Sequence, residues 1–230
     1  PPPANPRLEG HLTGWQQSMA GLNNFSAKFD LVRTDTAFKK DTPYEGSVLC
    51  MKPNLAYLQV VSKADKGDYE TFLCDGRAVF KYDGPKKTVY EMRLAPGAGA
   101  DNLMLDFLGG MKANEARTRF DIGLFNEDPN YVYLDIKPRL AKDRQDFKHA
   151  RLALLAPTNA AKLPAYLPKQ VWLMQPNDNT EMWSLKDHVA NHPGVQAAMF
   201  QFKKPDGWKH ERAPPAGPPG VPPPAVAPPG

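Results

Sequence analysis

Residues 44–83 read YEGSVLCMKPNLAYLQVVSKADKGDYETFLCDGRAVFKYD, and this stretch leaves the chain few ways to fold. It falls into four runs parted by turn chemistry. Residues 44–51 end at Lys52-Pro53-Asn54, where a proline withdraws a ladder donor and favours a turn. Residues 55–62 run to Lys66-Gly67-Asp68. Residues 69–74 stop at Asp75-Gly76, a pair that tolerates the positive φ of a two-residue hairpin. Residues 78–82 stop at Asp83-Gly84-Pro85. Valine, tyrosine, phenylalanine and threonine fill the runs and suit a pleated, half-buried surface. Connections this short make the strands antiparallel, because parallel neighbours need a crossover of a dozen or more residues.

The flanks extend this meander. Leu8, Leu12, Trp15, Met19 and Leu22 recur at steps of four, three, four and three, which predicts a helix over 7–22 with one apolar face. Residues 25–32 alternate: Phe25, Ala27, Phe29 and Leu31 point one way, Ser26, Lys28 and Asp30 the other. A polar connection is expected over 34–42 and a further strand over 88–94. Asp101 can cap a helix over 102–109, where Leu103, Leu105, Phe107 and Leu108 crowd too many apolar groups for one flat surface. That helix must enter a concavity or cover one. A more polar helix follows over 112–119. Strands are expected over 120–126 and 131–137 around Asp128-Pro129-Asn130, then over 150–156, 170–175 and 180–189, with one helical turn over 194–200. A sheet of roughly ten strands curls. The fold class is therefore mainly β (α+β), a curved antiparallel sheet forming an incomplete β-barrel with helices packed in its concave face.

Composition matters at the ends. Of 25 prolines in 230 residues, nine lie in residues 214–230, which reads as an extended spacer after one domain over 5–213. The net charge of +4 rests on lysines spread along the chain, with no basic run interleaved with stacking aromatics, so nucleic acid is not an expected partner. No apolar run approaches the ~18 residues that span a bilayer. The chain opens on Pro1, so a signal peptide is expected to lie outside this sequence.

Enzyme chemistry finds little support. His188 and His192 stand four apart, yet Pro193 follows and no third ligand is evident. The glycine-rich residues 96–100 lack the Gly-Lys-Ser/Thr of a phosphate loop, and no Gly-x-Ser-x-Gly elbow occurs. Cys50 and Cys74 fall on expected strands, either as a bridge or as two buried thiols. The expectation is a protein that is not an enzyme, with no metal and no cofactor.

What the pattern suits is an apolar ligand. Phe29, Leu31, Tyr57, Phe80, Tyr82, Tyr90 and Met92 would wall a cavity, and Leu103, Leu105, Phe107 and Leu108 would lid it, with Gly97, Gly99, Gly109 and Gly110 as hinges. The same side chains could instead fill a packed core. Trp172, Trp183 and Trp208 are contacts for a protein partner, or strand tryptophans packed against helix and loop.

Four motifs in order resemble the LolA-like family of periplasmic lipoprotein carriers and related lipid-binding and sensor domains. These are Phe25-Ser26-Ala27-Lys28-Phe29; Glu45-Gly46-Ser47 with Lys52-Pro53-Asn54-Leu55; Asp75-Gly76-Arg77-Ala78-Val79-Phe80-Lys81-Tyr82; and Phe200-Gln201-Phe202-Lys203-Lys204-Pro205-Asp206-Gly207. The resemblance implies a monomer in the periplasm or cell envelope that carries a lipid or acylated protein. An envelope structural or sensor domain, binding a protein through its concave face over a filled core, is the alternative. Family carriers place an arginine before the Pro-Asn to hold the lid. Here Lys52 takes that place, a single charge without a planar fork.

Overall fold

The computed structural model describes residues 5–94, 107, 113–159 and 163–212. Asn5 caps the first helix, α1 (Pro6–Ala20), by accepting hydrogen bonds from the backbone N–H of Arg7 and Leu8, and Pro6 supplies a pre-set φ where no intrahelical donor is required. Gly21 ends it with its N–H on the carbonyl of Gln17. Leu12, Trp15 and Met19 are buried, the face their spacing predicted. Burying each such side chain stabilises the fold by about 1.5–3 kcal/mol.

The remainder is built on a 12-stranded sheet. Its strands are β1 (Asn24–Asp35), β2 (Lys40–Met51), β3 (Leu55–Ser62), β4 (Tyr69–Asp75), β5 (Ala78–Asp83), β6 (Thr88–Arg93), β7 (Phe120–Glu127), β8 (Tyr131–Pro138), β9 (His149–Leu155), β10 (Pro168–Met174), β11 (Thr180–Ala190) and β12 (Lys209–Arg212), with α2 (Ala113–Arg119) before β7. The spatial order is β12-β6-β5-β4-β3-β2-β1-β11-β10-β9-β8-β7. Two meanders thus meet at β1, which pairs with β2 on one side and β11 on the other. Among the described strands only β12 runs parallel to its neighbour, β6. The edges β12 and β7 do not pair, so the barrel stays open.

Two expectations about elements need correction. The connection expected over 34–42 shrinks to a turn at 36–39, because the first hairpin zips as far as Asp35↔Lys40, helped by the Thr34 hydroxyl donating to Asp41 at 2.7 Å. Among the described residues twelve strands form in place of about ten, and β12 follows the loop in which the sequence offered no strand signal. Cys50 and Cys74 are free. Both pair in register with Ala56, so β3 separates them by two strand spacings, about 9.6 Å, too far for a bridge.

Each face of the sheet carries a layer that covers part of it. On the concave face, Leu12, Trp15 and Met19 of α1 share one core cluster with Phe29 and Leu31 of β1, Leu134 of β8, Leu152 of β9 and Trp183 of β11. On the convex face, residues 191–208 cross β2–β5 as a strap: the Phe202 ring stacks on Phe80 at 4.1 Å and 8°, and Tyr82 Oη donates to the Lys203 carbonyl at 3.1 Å. The strap ends by adding β12 to β6, covering an edge that would otherwise offer unpaired backbone groups.

One buried ion pair ties the end of α2 to the connection between β8 and β9. The Arg119 guanidinium donates to the nearly inaccessible Asp143 carboxylate at 2.7 Å through Nη2 and 3.4 Å through Nε. Removing one partner leaves the other charge desolvated. Asp143→Ala is expected to destabilise the fold by about 3 kcal/mol in urea denaturation, and a loss below about 1 kcal/mol would mean that water reaches Arg119.

Candidate functional site: the concave cradle and its mouth

Because neighbouring strands are antiparallel, their turns gather at two ends. α1 lies across one of them. Lys52 Nζ donates to the Ala20 carbonyl, Ser18 Oγ donates to the Ala165 carbonyl at 2.5 Å, and His11 Nε2 meets Glu127 Oε2 at 2.7 Å. Gly14 lets the Tyr166 ring lie against the helix; a Cβ there would sit 2.6 Å from that ring. The other end, where 36–39 turns, is the mouth of the cradle.

Near the mouth the concave lining changes from apolar to charged. The floor is Phe29, Leu31, Val48, Leu58 and Val60, all buried. Above it Arg33 Nε donates to Glu181 Oε1 at 3.2 Å, and its Nη2 lies 3.9 Å from Glu70 Oε2 on β4, across the two intervening strands. Lys81 Nζ stands 3.8 Å from the other Glu70 oxygen. Both cations also lie over rings: Arg33 is 4.8 Å from the Tyr44 centroid and Lys81 5.5 Å from that of Phe72. Glu181 is fixed further by the Trp183 indole N–H at 2.9 Å and by Gln175 at 3.1 Å. Arg33, Glu70 and Lys81 are half-buried, so a charged strip with aromatic shelves borders an apolar floor. Deeper in the core, the Trp15 indole nitrogen is buried with no acceptor among the described residues.

The wall drawn from the sequence divides between the faces. Phe29 and Leu31 lie in the cradle floor. Tyr90 and Met92 face the same side from β6, with Met92 41% exposed. Tyr57, Phe80 and Tyr82 lie on the convex face, grouped with Phe200, Phe202 and Trp208 beneath the strap, and so cannot line the cradle. The register explains the division: Phe80 pairs with Leu73 and Tyr82 with Thr71, the parity opposite to Phe72 and Cys74. Phe107 is 0% exposed and packs against Phe120 and Phe147, with ring centroids 6.2 and 6.0 Å away. Leu103, Leu105 and Leu108, and the hinge glycines 97, 99, 109 and 110, lie outside the described residues, as does the tail 214–230. Among the tryptophans, Trp183 is buried, while Trp172 meets His149 edge-on at 5.3 Å on the convex face. Sequence reasoning missed Arg33, Glu70, Lys81 and Glu181.

Other groups have local roles. Loss of water around both thiols raises the pKa of Cys50 and Cys74, which makes them poor nucleophiles. His188 Nε2 donates to the Pro168 carbonyl at 2.8 Å, and His192 Nδ1 accepts from Gly194 N–H at 3.0 Å, so the two do not share a ligand. Burial pushes the His188 pKa below 6.5, against the raising effect of its hydrogen bond. A depressed histidine holds its stability contribution above the unfolded pKa and loses it as pH falls, because the unfolded state then binds the proton first. Stability is therefore expected to decline as pH drops below about 6.5, and His188→Gln, which keeps a donor, should flatten that slope in denaturation curves collected from about pH 7.5 to 5. An unchanged slope would assign it to other groups.

No protein-family model and no curated protein sequence matches the chain. Solved structures do. An uncharacterised conserved protein from Thermus thermophilus aligns over 90% of this chain and 99% of its own at 9% identity and a TM-score of 0.54, which shows a shared fold. A LolA superfamily protein from Nitrosomonas europaea aligns over 84% of this chain and 97% of its own at 8% identity and a TM-score of 0.44. LprF from Mycobacterium bovis covers 83% and 96% at 11% identity and the same TM-score of 0.44. The open 12-stranded sheet, antiparallel except at β12, with a helix in its concave face is the half-barrel that the sequence led one to expect.

Proposed function

We propose that this protein binds an amphiphile, a lipid or the acyl group of a lipoprotein, in the concave cradle within a cell-envelope compartment, without catalysing a reaction. The observation that carries the reading is the juxtaposition at the mouth: a floor of Phe29, Leu31, Val48, Leu58 and Val60 beside the half-buried strip Glu181–Arg33–Glu70–Lys81. Apolar pockets that hold ligands combine many hydrophobic walls with a few placed polar groups. An acyl chain fits the floor, and an anionic head fits Arg33 and Lys81 by replacing Glu70 as their partner. A ligand oxygen reaching the core would also give Trp15 Nε1 the acceptor it lacks among the described residues. In this reading the chain takes the volume that Phe107 fills, and the segment bearing Phe107 is the lid.

The test is displacement of a fluorescent fatty acid from delipidated protein in the absence of membranes. Arg33→Ala and Lys81→Ala should each weaken an anionic probe about tenfold, the scale of one lost charge-assisted contact, and leave a neutral probe of equal chain length nearly unchanged. Equal affinities for both probes in wild type and variants would remove the head-group assignment.

A second reading rests on a separate observation. The floor is sealed and Phe107 is wedged between Phe120 and Phe147, whose own centroids are 5.8 Å apart, as in a filled core. On that reading the domain serves an envelope structure or sensor and engages a protein partner. It predicts no probe uptake by wild type at any concentration.

A further inference from the structure

The mouth end has a surface that the cradle does not explain. Its loops, residues 36–40, 63–68, 84–87, 139–148, 175–179 and 203–209, hold thirteen lysines and arginines against six aspartates. One of those aspartates, Asp143, is buried against Arg119, and five of the cations pair with carboxylates: Lys63 with Asp30, Lys66 with Glu45, Lys86 with Asp83, Arg139 with Asp121 and Lys148 with Asp178. Lys39, Lys40 and Lys87 are exposed and make no ion pair with a described residue. These three lysines therefore present uncompensated positive charge to solvent.

Into this basic rim the chain places the most exposed large apolar side chain among the described residues. Phe38, 82% exposed, sits in the turn of the β1–β2 hairpin, directly before Lys39 and Lys40. The hairpin stands proud of its neighbour: β2 pairs with β3 only up to Tyr44↔Ser62, whereas β1 and β2 stay paired to Asp35↔Lys40, four residues further. That is roughly 13 Å of strand. The projection is stiffened at its base, where Thr36 N–H donates to Asn179 Oδ1 at 3.2 Å and Thr36 Oγ1 to the Asp178 carbonyl at 3.0 Å. Leu140, 38% exposed beside Arg139, is a second apolar point on the same rim. A stiff hairpin holding a solvated phenylalanine beside unpaired lysines has no partner within the described fold.

We propose that this end docks on an anionic phospholipid bilayer, with Phe38 entering the interface between head groups and acyl chains and Lys39, Lys40 and Lys87 meeting lipid phosphates. Charge complementarity selects this occupant: an aromatic side chain flanked by lysines matches an interface that is apolar below and negatively charged above. The inference adds a surface to the proposed function and rests on it only for meaning, since the docked face lies at the end of the cradle where the proposed head-group strip Arg33–Glu70–Lys81 sits.

The experiment is sedimentation of delipidated protein with vesicles of phosphatidylcholine alone and of phosphatidylcholine with about 30% phosphatidylglycerol, a share that gives the strong negative surface potential needed. Wild type should bind the anionic vesicles and lose most of that binding in high salt. Phe38→Ser and the double variant Lys39→Glu/Lys40→Glu should each weaken binding at least about tenfold, while Phe125→Ser, an exposed phenylalanine on β7, should not. These substitutions are at exposed positions, and a circular dichroism spectrum matching wild type checks that folding is intact. No binding to anionic vesicles, equal binding by all variants, or capture by polyglutamate without capture by vesicles would each overturn the proposal. Because this assay has no cradle ligand and the displacement assay has no membrane, either can fail without the other.

Discussion

Gly46→Val is expected to be among the most damaging single substitutions in the sheet. Gly46 lies on β2 opposite Phe29 and Val60, with its α-carbon facing the cradle. A Cβ there would lie 1.9 Å from the carbonyl oxygen of Gln59 and 2.5 Å from the Phe29 ring. Neither neighbour can retreat. The carbonyl belongs to the β2–β3 ladder, and the ring is held 4.7 Å from the Trp183 ring. Overpacking of this kind costs about 1–3 kcal/mol where side chains can shift, and here the backbone has to move, so about 3 kcal/mol or failure to fold is expected. The glycine therefore serves curvature: it lets Phe29 cross β2 and lets Arg33 reach Glu70 beyond it. Gly123→Ala is the control, since nothing lies within 4 Å of the added carbon and no comparable loss is expected. Urea midpoints for the two variants check the argument; a Gly46→Val protein within about 0.5 kcal/mol of wild type would show that β2 and β3 part freely.

Phe107→Ala should give the second large effect, and its sign differs between stability and binding. The ring is fully buried between Phe120 and Phe147, and truncation of a buried phenylalanine costs about 3–5 kcal/mol through lost burial and the cavity left behind. That cavity is apolar. If an acyl chain normally displaces this ring, the variant should bind an apolar probe more tightly than wild type, about tenfold for ~1.4 kcal/mol of competition removed. Phe107→Asp should instead abolish uptake while the sheet stays folded, because a carboxylate in that position would have to be desolvated. Equal binding by wild type and both variants would separate Phe107 from the ligand site. Weak binding by Phe107→Ala together with none by wild type would favour the filled core.

The division of the aromatic residues shows what sequence could and could not convey. Residues 25–31 alternate because the convex side of β1 at that point is wet, with Asp30 accepting from Lys63 at 2.7 Å and from Lys186 at 2.5 Å. One glance at such a strand gives its inner face. β4 and β5 lack that contrast: Leu73 and Cys74 are adjacent and buried, as are Ala78, Val79 and Phe80. Consecutive burial is the mark of a strand covered on both sides, and the covering layer is the strap, roughly 100 residues or more later in the chain. Without knowledge of the strap, Phe80 and Tyr82 looked like cradle residues. The motif Phe200-Gln201-Phe202 was visible, but its partner, the convex face of β5, was not.

The charged strip was hidden for a different reason. Arg33, Glu70, Lys81 and Glu181 are ordinary surface residues in sequence, spread from one end of the domain to the other. Only the register of β1 with β11 (Arg33↔Glu181), together with the curl that carries β4 toward β1, brings them together. Hairpin chemistry, by contrast, is local, and the turns at Asp75-Gly76 and Asp83-Gly84 mark the ends of β4 and β5 as the sequence suggested.

The central claim, that the cradle holds an amphiphile, is tested most directly by native mass spectrometry of the protein purified from its native cells, followed by lipid extraction. A stoichiometric apolar adduct that is lost on Phe107→Asp is the predicted result, and its mass names the ligand class. A clean mass of the polypeptide alone, with no uptake of an apolar probe by the native protein, would contradict the claim and leave the concave face as a packed core.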